Sequence, residues 1–476
     1  MRAYGWVLAG LALAGCSGGG DDSASKKRPP LGDDSAPVEP ACLGTGFGAA
    51  VSDWSLPSGF QAGALDSLYD TSSSDGVVWG LLDLTGDGGA DLVVADNDAG
   101  AGGIGSTKWL VYENSGTGFG PSAADWSLPS GFQDGALDTL YDTSSSDGAE
   151  WGLLDLTGDG AVDLVVSDTD AGSGGIGSTK WLVYENSGTG FGPSATDWSL
   201  PSGFQNGALD SLYDTSSSDG AVWGLLDLTG DGAVDLVVAD TDAGSGGIGS
   251  TKWLVYENSG TGFGPSAADW SLPSGFQDGA LDTLSDSSSS DGAVWGLLDL
   301  TGDGAVDLVV SDTDAGTGGI GSTKWLVYEN SSAGFGPSAT DWSLPSGFQD
   351  GALDTLADSS SSDGAVWGLL DLDGDAATDL VVADTDAGAG GVGSSKWLLY
   401  ANSGSGFGPT ASDWSLPVGF TDGAFDTLYD SSSSDGADWT LLNLGQDNVL
   451  DVVIAKNDVD GSVGASHWQV IDAVCE

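Results

Sequence analysis

The sequence predicts an all-β protein, a six-bladed β-propeller with four antiparallel strands per blade. From Thr45 to Glu476 the chain is six copies of a 72-residue unit, marked by the phrase TGFG or a variant of it. Each copy holds four short apolar runs separated by Gly, Asp and Ser, without sustained helical periodicity. A fixed period of this size indicates a repeat architecture, and radial repetition of four-stranded sheets makes a propeller.

The four predicted strands follow one another in the same order in every copy. In copy two they cover 151–156, 163–168, 181–185 and 194–200. The inner two runs hardly alternate, which is typical of strands buried on both faces. The chain enters with a fourth-strand sequence (47–56) and leaves with a third-strand sequence (468–474), so we predict that an N-terminal strand closes the last blade. The copies are 45–116, 117–188, 189–260, 261–332, 333–404 and 405–476.

Two cysteines lie at the two sides of this predicted closure. Cys42 and Cys475 align with neighbouring positions of the turn that joins strands three and four in the other copies. A disulfide between them would replace the missing covalent turn in an oxidising compartment, stabilising the fold by on the order of a few kcal/mol. The alternative is a pair of unrelated thiols.

The N-terminus has the features of a secretory signal. Arg2 precedes an apolar stretch, residues 3–14, that is too short to span a bilayer. The tetrapeptide that ends at Cys16 resembles the bacterial lipobox, in which the cysteine is lipidated; the alternative is an ordinary signal peptide. We interpret 1–16 as a lipoprotein signal peptide and 17–44 as a disordered tether. This predicts a lipid-anchored protein of the bacterial cell envelope, with Ser17 favouring the outer membrane and cell surface.

The charge is strongly negative throughout the repeats. The chain has a formal net charge of -61, and its repeats contain six of the ten Lys+Arg and 66 of the 71 Asp+Glu. Nucleic acids and anionic membrane surfaces are excluded as partners because they require clustered basic residues. The repeats also contain 18 of the 19 Trp, within apolar runs, which disfavours disorder. Cation binding by the acids is the better interpretation.

Each copy has a nine-residue acidic loop between predicted strands one and two. It reads DLTGDGAVD in copies two to four, DLTGDGGAD in copy one, DLDGDAATD in copy five and NLGQDNVLD in copy six. Side-chain oxygens at positions 1, 3, 5 and 9, with the carbonyl of position 7, suit Ca²⁺, which takes about six to eight oxygen ligands. The loop is not an EF-hand, because Val166 replaces the bidentate acid at position 12 and strands flank it.

The string DLTGDGAVDLVVADTD, followed by a strand and GFGP, resembles the FG-GAP/VCBS repeat of integrin-type propellers and bacterial surface proteins, over all six copies. The resemblance implies five calcium sites, with the sixth copy left open because Gly445 brings no side chain. The alternative is a set of metal-free Asp/Gly turns. The implied ligands are Asp83, Thr85, Asp87, Gly89, Asp91; Asp155, Thr157, Asp159, Ala161, Asp163; Asp227, Thr229, Asp231, Ala233, Asp235; Asp299, Thr301, Asp303, Ala305, Asp307; Asp371, Asp373, Asp375, Ala377, Asp379; and Asn443, Asp447, Asp451.

Long loops are predicted at the opposite face, between strands four and one (129–150 in copy two) and between strands two and three (169–180). Since folding needs only short hairpins, long loops at one rim indicate a binding surface for a protein or a glycan. The candidate ligand-binding residues there are Asp142, Asp147, Asp168 and Asp170; solvated loop polarity is the alternative. The three Trp per copy are interpreted as core rather than as sugar-stacking platforms.

An enzyme is not expected. The chain has one His, its acids recur in every copy, and no nucleophile is accompanied by a positioned base. Paired carboxylates of the glycosidase kind are the remaining enzymatic interpretation. The predicted function is a calcium-binding, lipid-anchored surface propeller for adhesion or recognition, and the alternative is a structural scaffold of the cell envelope.

Overall fold

The computed structural model describes residues 44–475 except for 62, 71–76, 98–100, 144–147, 170–173, 206, 216–219, 242–245, 278, 288–291, 314–317, 332, 360–363, 386–388, 421–422, 431–436, 448 and 458–461. Cys16, Cys42 and the predicted signal peptide lie outside the described residues, as does the predicted tether up to residue 43. Among the described residues, no helix has the length and apolar character needed to cross a bilayer.

Twenty-six short strands make up the described fold, together with two 3-10 turns at Ala101–Gly103 and Ala389–Gly391. In chain order the strands are β1 (Gly44–Phe47), β2 (Ser52–Ser55), β3 (Val77–Leu82), β4 (Asp91–Asn97), β5 (Lys108–Tyr112), β6 (Ala124–Ser127), β7 (Ala149–Leu154), β8 (Asp163–Thr169), β9 (Lys180–Tyr184), β10 (Thr196–Ser199), β11 (Ala221–Leu226), β12 (Asp235–Thr241), β13 (Lys252–Tyr256), β14 (Ala268–Ser271), β15 (Ala293–Leu298), β16 (Asp307–Thr313), β17 (Lys324–Tyr328), β18 (Thr340–Ser343), β19 (Ala365–Leu370), β20 (Asp379–Thr385), β21 (Lys396–Tyr400), β22 (Ser412–Ser415), β23 (Ala437–Leu442), β24 (Asp451–Asn457), β25 (His467–Ile471) and β26 (Ala473–Cys475).

These strands form the six four-stranded antiparallel blades that the sequence predicts. Blade one is β3 to β6, and blades two to five follow in steps of four strands. Blade six is β23, β24 and β25, completed by β2, which pairs antiparallel to β25 with Trp54 opposite Trp468. The N-terminal strand therefore closes the last blade, and the prediction of a six-bladed propeller with this closure is confirmed.

The other N-terminal strand, β1, lies where the other blades have the turn between strands three and four. It pairs antiparallel to β26, and it contacts β22 of blade five in parallel register, Gly46 opposite Ser415. Equivalent parallel bridges join the other neighbouring blades, as between Ser127 and Gly190. Gly190 has φ +148°, and a Cβ there would collide with Ser127, so this close approach requires glycine.

The core lies between the blades. Six clusters of buried apolar residues each join two neighbouring blades, including blades six and one, so the ring is closed. All 18 Trp of the repeats are at most 4% exposed. The rings of Trp109 and Trp151, from blades one and two, lie 5.7 Å apart, and a similar pair recurs between the other blades. The second strand of each blade buries five consecutive residues. The interpretation of the Trp as core is confirmed.

Candidate metal loops and recognition rim

The acidic loops lie at one end of the ring, each in the hairpin between the first two strands of a blade. In copy two, Asp155 at position 1 accepts backbone N–H bonds from Gly158 (2.8 Å), Asp159 (3.2 Å) and Gly160 (2.8 Å). Asp159 in turn accepts the N–H of Ala161 at 3.0 Å. The same bonds recur in copies one, three and four. Charge-assisted bonds to one carboxylate therefore hold the loop in a preformed turn, and a carboxylate with about four lone-pair sites retains capacity for a cation.

The acid at position 9 is buried and accepts hydrogen bonds from two other parts of the blade. Asp163 is fully buried and accepts N–H bonds from Asn186 (2.9 Å) and Thr157 (3.3 Å). Burial raises the pKa of Asp163 to about 6, and these two N–H donors oppose the rise. Asp91, Asp235, Asp307, Asp379 and Asp451 occupy the equivalent positions, and burial raises the pKa of each.

Position 3 supplies a buried hydroxyl oxygen. The hydroxyls of Thr85, Thr157, Thr229 and Thr301 are buried beside the position-9 carboxylate of the same loop, and each lowers the pKa of that carboxyl. A hydroxyl that donates to a carboxylate keeps its lone pairs available for a cation. With acids at positions 1, 5 and 9 of the same loop, the donor set consists of oxygen and is negatively charged, as Ca²⁺ prefers. The residues present thus fit the ion that the resemblance implies.

Copy five gathers the densest acidic set. The carboxylates of Asp371, Asp373 and Asp375 have oxygens within 4.8 Å of one another. Asp379 is fully buried, and its Oδ2 has no hydrogen-bond partner in the described structure. Burial raises the pKa of Asp379 to about 8, and the carboxylates of Asp373, Asp375 and Asp371 raise it further against the bond from the Asn402 N–H. The missing turn glycine is tolerated, because Ala376 takes φ +69° and still donates to Asp371 at 3.0 Å.

Copy six has the weakest donor set. Asn443 accepts one loop N–H, from Asp447 at 3.2 Å, where the Asp of copies one to five accepts three. Asp447 accepts the N–H of Val449 at 3.1 Å, and the buried Asp451 accepts that of Ala473 at 3.2 Å. Two carboxylates remain in the described part of this loop. Copy six therefore has the donor set least suited to Ca²⁺, and its metal site is not assigned.

The long loops between blades end at the opposite rim, and two indoles hold each of them. In the loop that enters blade two, the Nε1 atoms of Trp109 and Trp151 donate to the carbonyls of Leu137 (2.8 Å) and Ala136 (2.7 Å). These indoles belong to neighbouring blades. The loop backbone is therefore fixed where it crosses from one blade to the next, and the rim is anchored directly to the core.

Of the candidate rim residues in copy two, the structure describes two. Asp142 exchanges two backbone bonds with Trp151, at 3.0 and 2.9 Å, and Asp168 lies opposite Glu150 in the β7–β8 ladder. Both lie at the end of the blade opposite the acidic loop, and their role in ligand binding stays a prediction. Asp147 and Asp170 lie outside the described residues.

Glu150 belongs to this rim, and the sequence analysis did not single it out. Burial raises its pKa to about 8, and the carboxylates of Asp210, Asp168 and Asp142 add to the rise. Blades one, three, four and five carry a buried or nearly buried Val at this position, namely Val78, Val222, Val294 and Val366. A signal for this position lies in the differences between the copies, since blade two carries Glu150 and blade six carries Asp438 where the other four blades carry Val.

Exposed aromatic residues also lie on the rim. Tyr69, Tyr141, Tyr213 and Tyr429 are 53%, 36%, 37% and 59% exposed, and each is followed by Asp. Their loops enter blades one, two, three and six, which are consecutive around the ring. In blades four and five Ser285 and Ala357 take the place of the tyrosine. The tyrosines thus form an arc on one side of the rim, which we call the tyrosine arc.

The few basic side chains are paired. In five blades the lysine that starts the third strand meets an aspartate of the fourth strand, as in Lys180–Asp197 at 2.7 Å. His467 replaces it in blade six, 3.5 Å from Asp53. These aspartates are about two-thirds exposed, so each pair contributes about 0–1 kcal/mol. These pairs leave the acidic loops uncompensated, whereas at the rim Lys456 of blade six pairs with Asp66 at 3.1 Å.

No protein-family model matches the chain, and no curated protein matches it either. Among solved structures, the chain is similar to part of the Photorhabdus luminescens Tc holotoxin pore, with 17% identity and a TM-score of 0.49 over 90% of this chain and 15% of the toxin chain. It is also similar to an Agrocybe aegerita lectin described as recognising non-reducing terminal N-acetylglucosamine (17% identity, TM-score 0.42, 92% of both chains). Trypanosoma rangeli sialidase matches at 11% identity and TM-score 0.30, over 89% of this chain and 60% of the sialidase. These values bear on the fold and carry no functional argument.

Proposed function

We propose that this protein is a calcium-binding, lipid-anchored propeller of the FG-GAP/VCBS kind that recognises a protein or a glycan at the bacterial cell surface. The tyrosine arc is the observation that carries the recognition role. All 18 Trp of the repeats are buried, whereas four tyrosines stand exposed beside aspartates on one rim. An aromatic ring with a polar neighbour is the usual composition of a recognition surface.

The arc is preorganised for binding. In each of its four loops a Ser or Thr hydroxyl, two residues before the tyrosine, donates to the tyrosine carbonyl at 2.7 to 2.9 Å. Together with the indole bonds that fix the loop, this reduces the conformational entropy lost when a ligand binds. Repetition over four blades allows several weak contacts to act together on a repetitive or extended ligand.

Calcium in this proposal has a structural role. In copies one to four the acids at positions 1, 5 and 9 and the Thr at position 3 would hold it, and in copy five Asp371, Asp373, Asp375 and Asp379 would do so. Calcium, when bound, would supply the positive charge that offsets the loop carboxylates, and the oxygens of the loop would be its ligands. The protein is proposed to be a binder and not an enzyme, since most of its acids occupy equivalent places in the copies and few, such as Glu150 and Asp373, belong to one copy.

The calcium part is tested by thermal unfolding of the full chain in calcium and in excess EDTA, with magnesium as a selectivity control. We expect EDTA to lower Tm substantially, because uncompensated carboxylate clusters repel one another. Equal Tm values in calcium and in EDTA would remove calcium from the proposal.

The recognition part is tested on a glycan array and by pull-down from cell-envelope extracts, with Tyr69→Ser and Tyr429→Ala combined. These substitutions copy the residues that blades four and five carry at the same position. The matched control combines Ser285→Ala and Ala357→Ser. We expect the tyrosine variant alone to lose bound ligand by about tenfold or more. Full binding by a variant that also carries Tyr141→Ser and Tyr213→Ala would place the ligand surface outside the tyrosine arc, and no binding by the wild type in either assay would favour the scaffold.

A further inference from the structure

Neighbouring blades are joined at the acidic loops by a repeated hydrogen bond. In five interfaces an Asn side chain after the third strand donates to the carbonyl of position 2 in the acidic loop of the preceding blade. The donor–acceptor pairs are Asn114–Leu444, Asn186–Leu84, Asn258–Leu156, Asn330–Leu228 and Asn402–Leu300, at 2.8 to 3.2 Å. The acidic loops thus take part in holding the ring together.

The interface between blades five and six is built differently. Here the ring is closed by β1, and the 72-residue period places Cys42 where the other copies have Asn. The contact to the preceding loop comes from the backbone, as the N–H of Gly44 donates to the carbonyl of Asp373 at 2.8 Å. Gly44 packs against Trp414 so closely that a Cβ has no room. The closing strand therefore rests on position 3 of the fifth acidic loop.

Position 3 of that loop is also where copy five departs from its neighbours. Copies one to four have Thr, whereas Asp373 adds a third carboxylate to those of Asp371 and Asp375. The fully buried Asp379 completes the set with an unpartnered Oδ2. One residue, Asp373, thus faces the candidate ion with its side chain and the closing strand with its carbonyl.

We propose that a divalent cation bound in the fifth acidic loop stabilises the docking of β1, so that ion binding and ring closure are coupled at this one interface. The proposal rests on the calcium binding proposed above and adds a specific role for copy five. Without an ion, mutual repulsion among the three carboxylates favours a spread loop. With an ion, the main chain of Asp373 is fixed where its carbonyl receives the N–H of Gly44. Coupling of this kind is reciprocal, so docked β1 also strengthens ion binding in the loop.

The test is hydrogen exchange of the backbone amides in 44–47, measured on the full chain in calcium and in EDTA. Reductant is present throughout, so that a bridge between the terminal cysteines cannot mask the change. In the wild-type chain we expect calcium to slow this exchange by about tenfold or more. The variant Asp373→Asn/Asp375→Asn removes two carboxylate charges and keeps the side-chain oxygens that accept the N–H groups of Asp375 and Ala377. We expect calcium to change its exchange at 44–47 by less than about twofold.

The matched control is Thr229→Asn/Asp231→Asn, which installs the same residues at positions 3 and 5 of loop three. Loop three is contacted by Asn330 of blade four, and blades three and four are joined by a continuous chain, unlike blade six, which β2 closes. We therefore expect this variant to leave the calcium effect at 44–47 as in the wild type. Calcium titration calorimetry is run on all three proteins. Loss of one calcium-binding event in Asp373→Asn/Asp375→Asn, with β1 protected by calcium as in the wild type, would overturn the coupling and leave the proposed calcium sites standing. Absence of any calcium binding in the wild type would overturn both.

Discussion

The backbone N–H of Asn186 donates to Oδ1 of Asp163 at 2.9 Å, and the side chain of the same Asn186 donates to the carbonyl of Leu84 in the preceding blade at 2.9 Å. One residue therefore joins the acidic loop of its own blade to that of its neighbour. The Asn side chain also bonds Val162 at 3.1 Å and accepts the N–H of Gly188 at 2.8 Å. The acidic loops are part of the framework of the ring as well as candidate metal sites.

Replacement of Asn186 by Ala should destabilise the protein by about 1–3 kcal/mol, because it leaves the carbonyls of Leu84 and Val162 without a donor. Urea unfolding at fixed calcium concentration measures this change. The control is Asp197→Ala, which breaks the exposed pair with Lys180 and should cost at most about 1 kcal/mol. Equal effects of the two substitutions would show that the bonds of Asn186 between the blades add nothing.

Glu150 makes stability depend on pH. Its pKa is about 8 in the folded protein against 4.5 for the free side chain. As the pH rises between these values, the unfolded chain releases the proton first, so folding becomes less favourable, and the loss is complete above about pH 8. Glu150→Gln mimics the protonated form. The variant should match the wild-type Tm near pH 4 and exceed it near pH 8.

The control for this experiment is Val222→Gln, which places the same amide at the equivalent position of blade three. It should shift Tm by an amount that does not depend on pH, because no titrating group is removed. A Tm difference between Glu150→Gln and wild type that stays constant from pH 4 to pH 8 would contradict the raised pKa.

The fold follows from the sequence because every copy buries the same positions. Short runs such as the one around Val165, bounded by Asp and Gly, are typical of strands with two covered faces, and the phase of the repeat places β2 in blade six. The boundaries differ by a few residues, since the fourth strand of blade two is limited to Thr196–Ser199 by the turns around it. The 72-residue repeat and the apolar runs within it thus predict the six-bladed architecture without knowledge of contacts between distant residues.

The site follows from the sequence only in part. The spacing of the acids predicts the loops, but it does not show that Asp163 bonds to Asn186, because that contact joins separate strands. The bond from Asn186 to Leu84 spans 102 residues and depends on how neighbouring blades pack. Glu150 and the tyrosine arc do not follow from the shared repeat pattern, because both depend on positions at which single copies differ.

Ala376 occupies a backbone conformation that suits glycine. Its φ of +69° lies at position 6 of the fifth loop, where copies one to four have glycines with φ between +86° and +90°. A non-glycine residue pays about 1–2 kcal/mol there, and glycine loses about 0.5–1 kcal/mol of chain entropy on folding. Ala376→Gly should therefore stabilise the protein by up to about 1 kcal/mol in urea unfolding. The reverse change, Gly160→Ala in loop two, should destabilise it by a similar amount, and effects of the same sign in both loops would refute this account.

The pairing of β1 with β26 supports a disulfide between Cys42 and Cys475. Cys475 lies opposite Gly44 in the β1–β26 ladder, and Gly44 follows Cys42 by two residues in the sequence. We therefore expect a disulfide between Cys42 and Cys475 in protein exported to an oxidising compartment. Alkylation followed by mass spectrometry should modify neither thiol before reduction and both after it.

The energetic consequence of this bridge can be separated from that of a lost side chain. Cys42→Ser, Cys475→Ser and the double variant should each be less stable than the oxidised wild type by about 2–4 kcal/mol. Because a bridge is lost once, the double variant should be no less stable than either single variant. Additive losses, or free thiols at both positions in the unreduced protein, would mean that hydrogen bonds and packing of β1 close the ring without a covalent link.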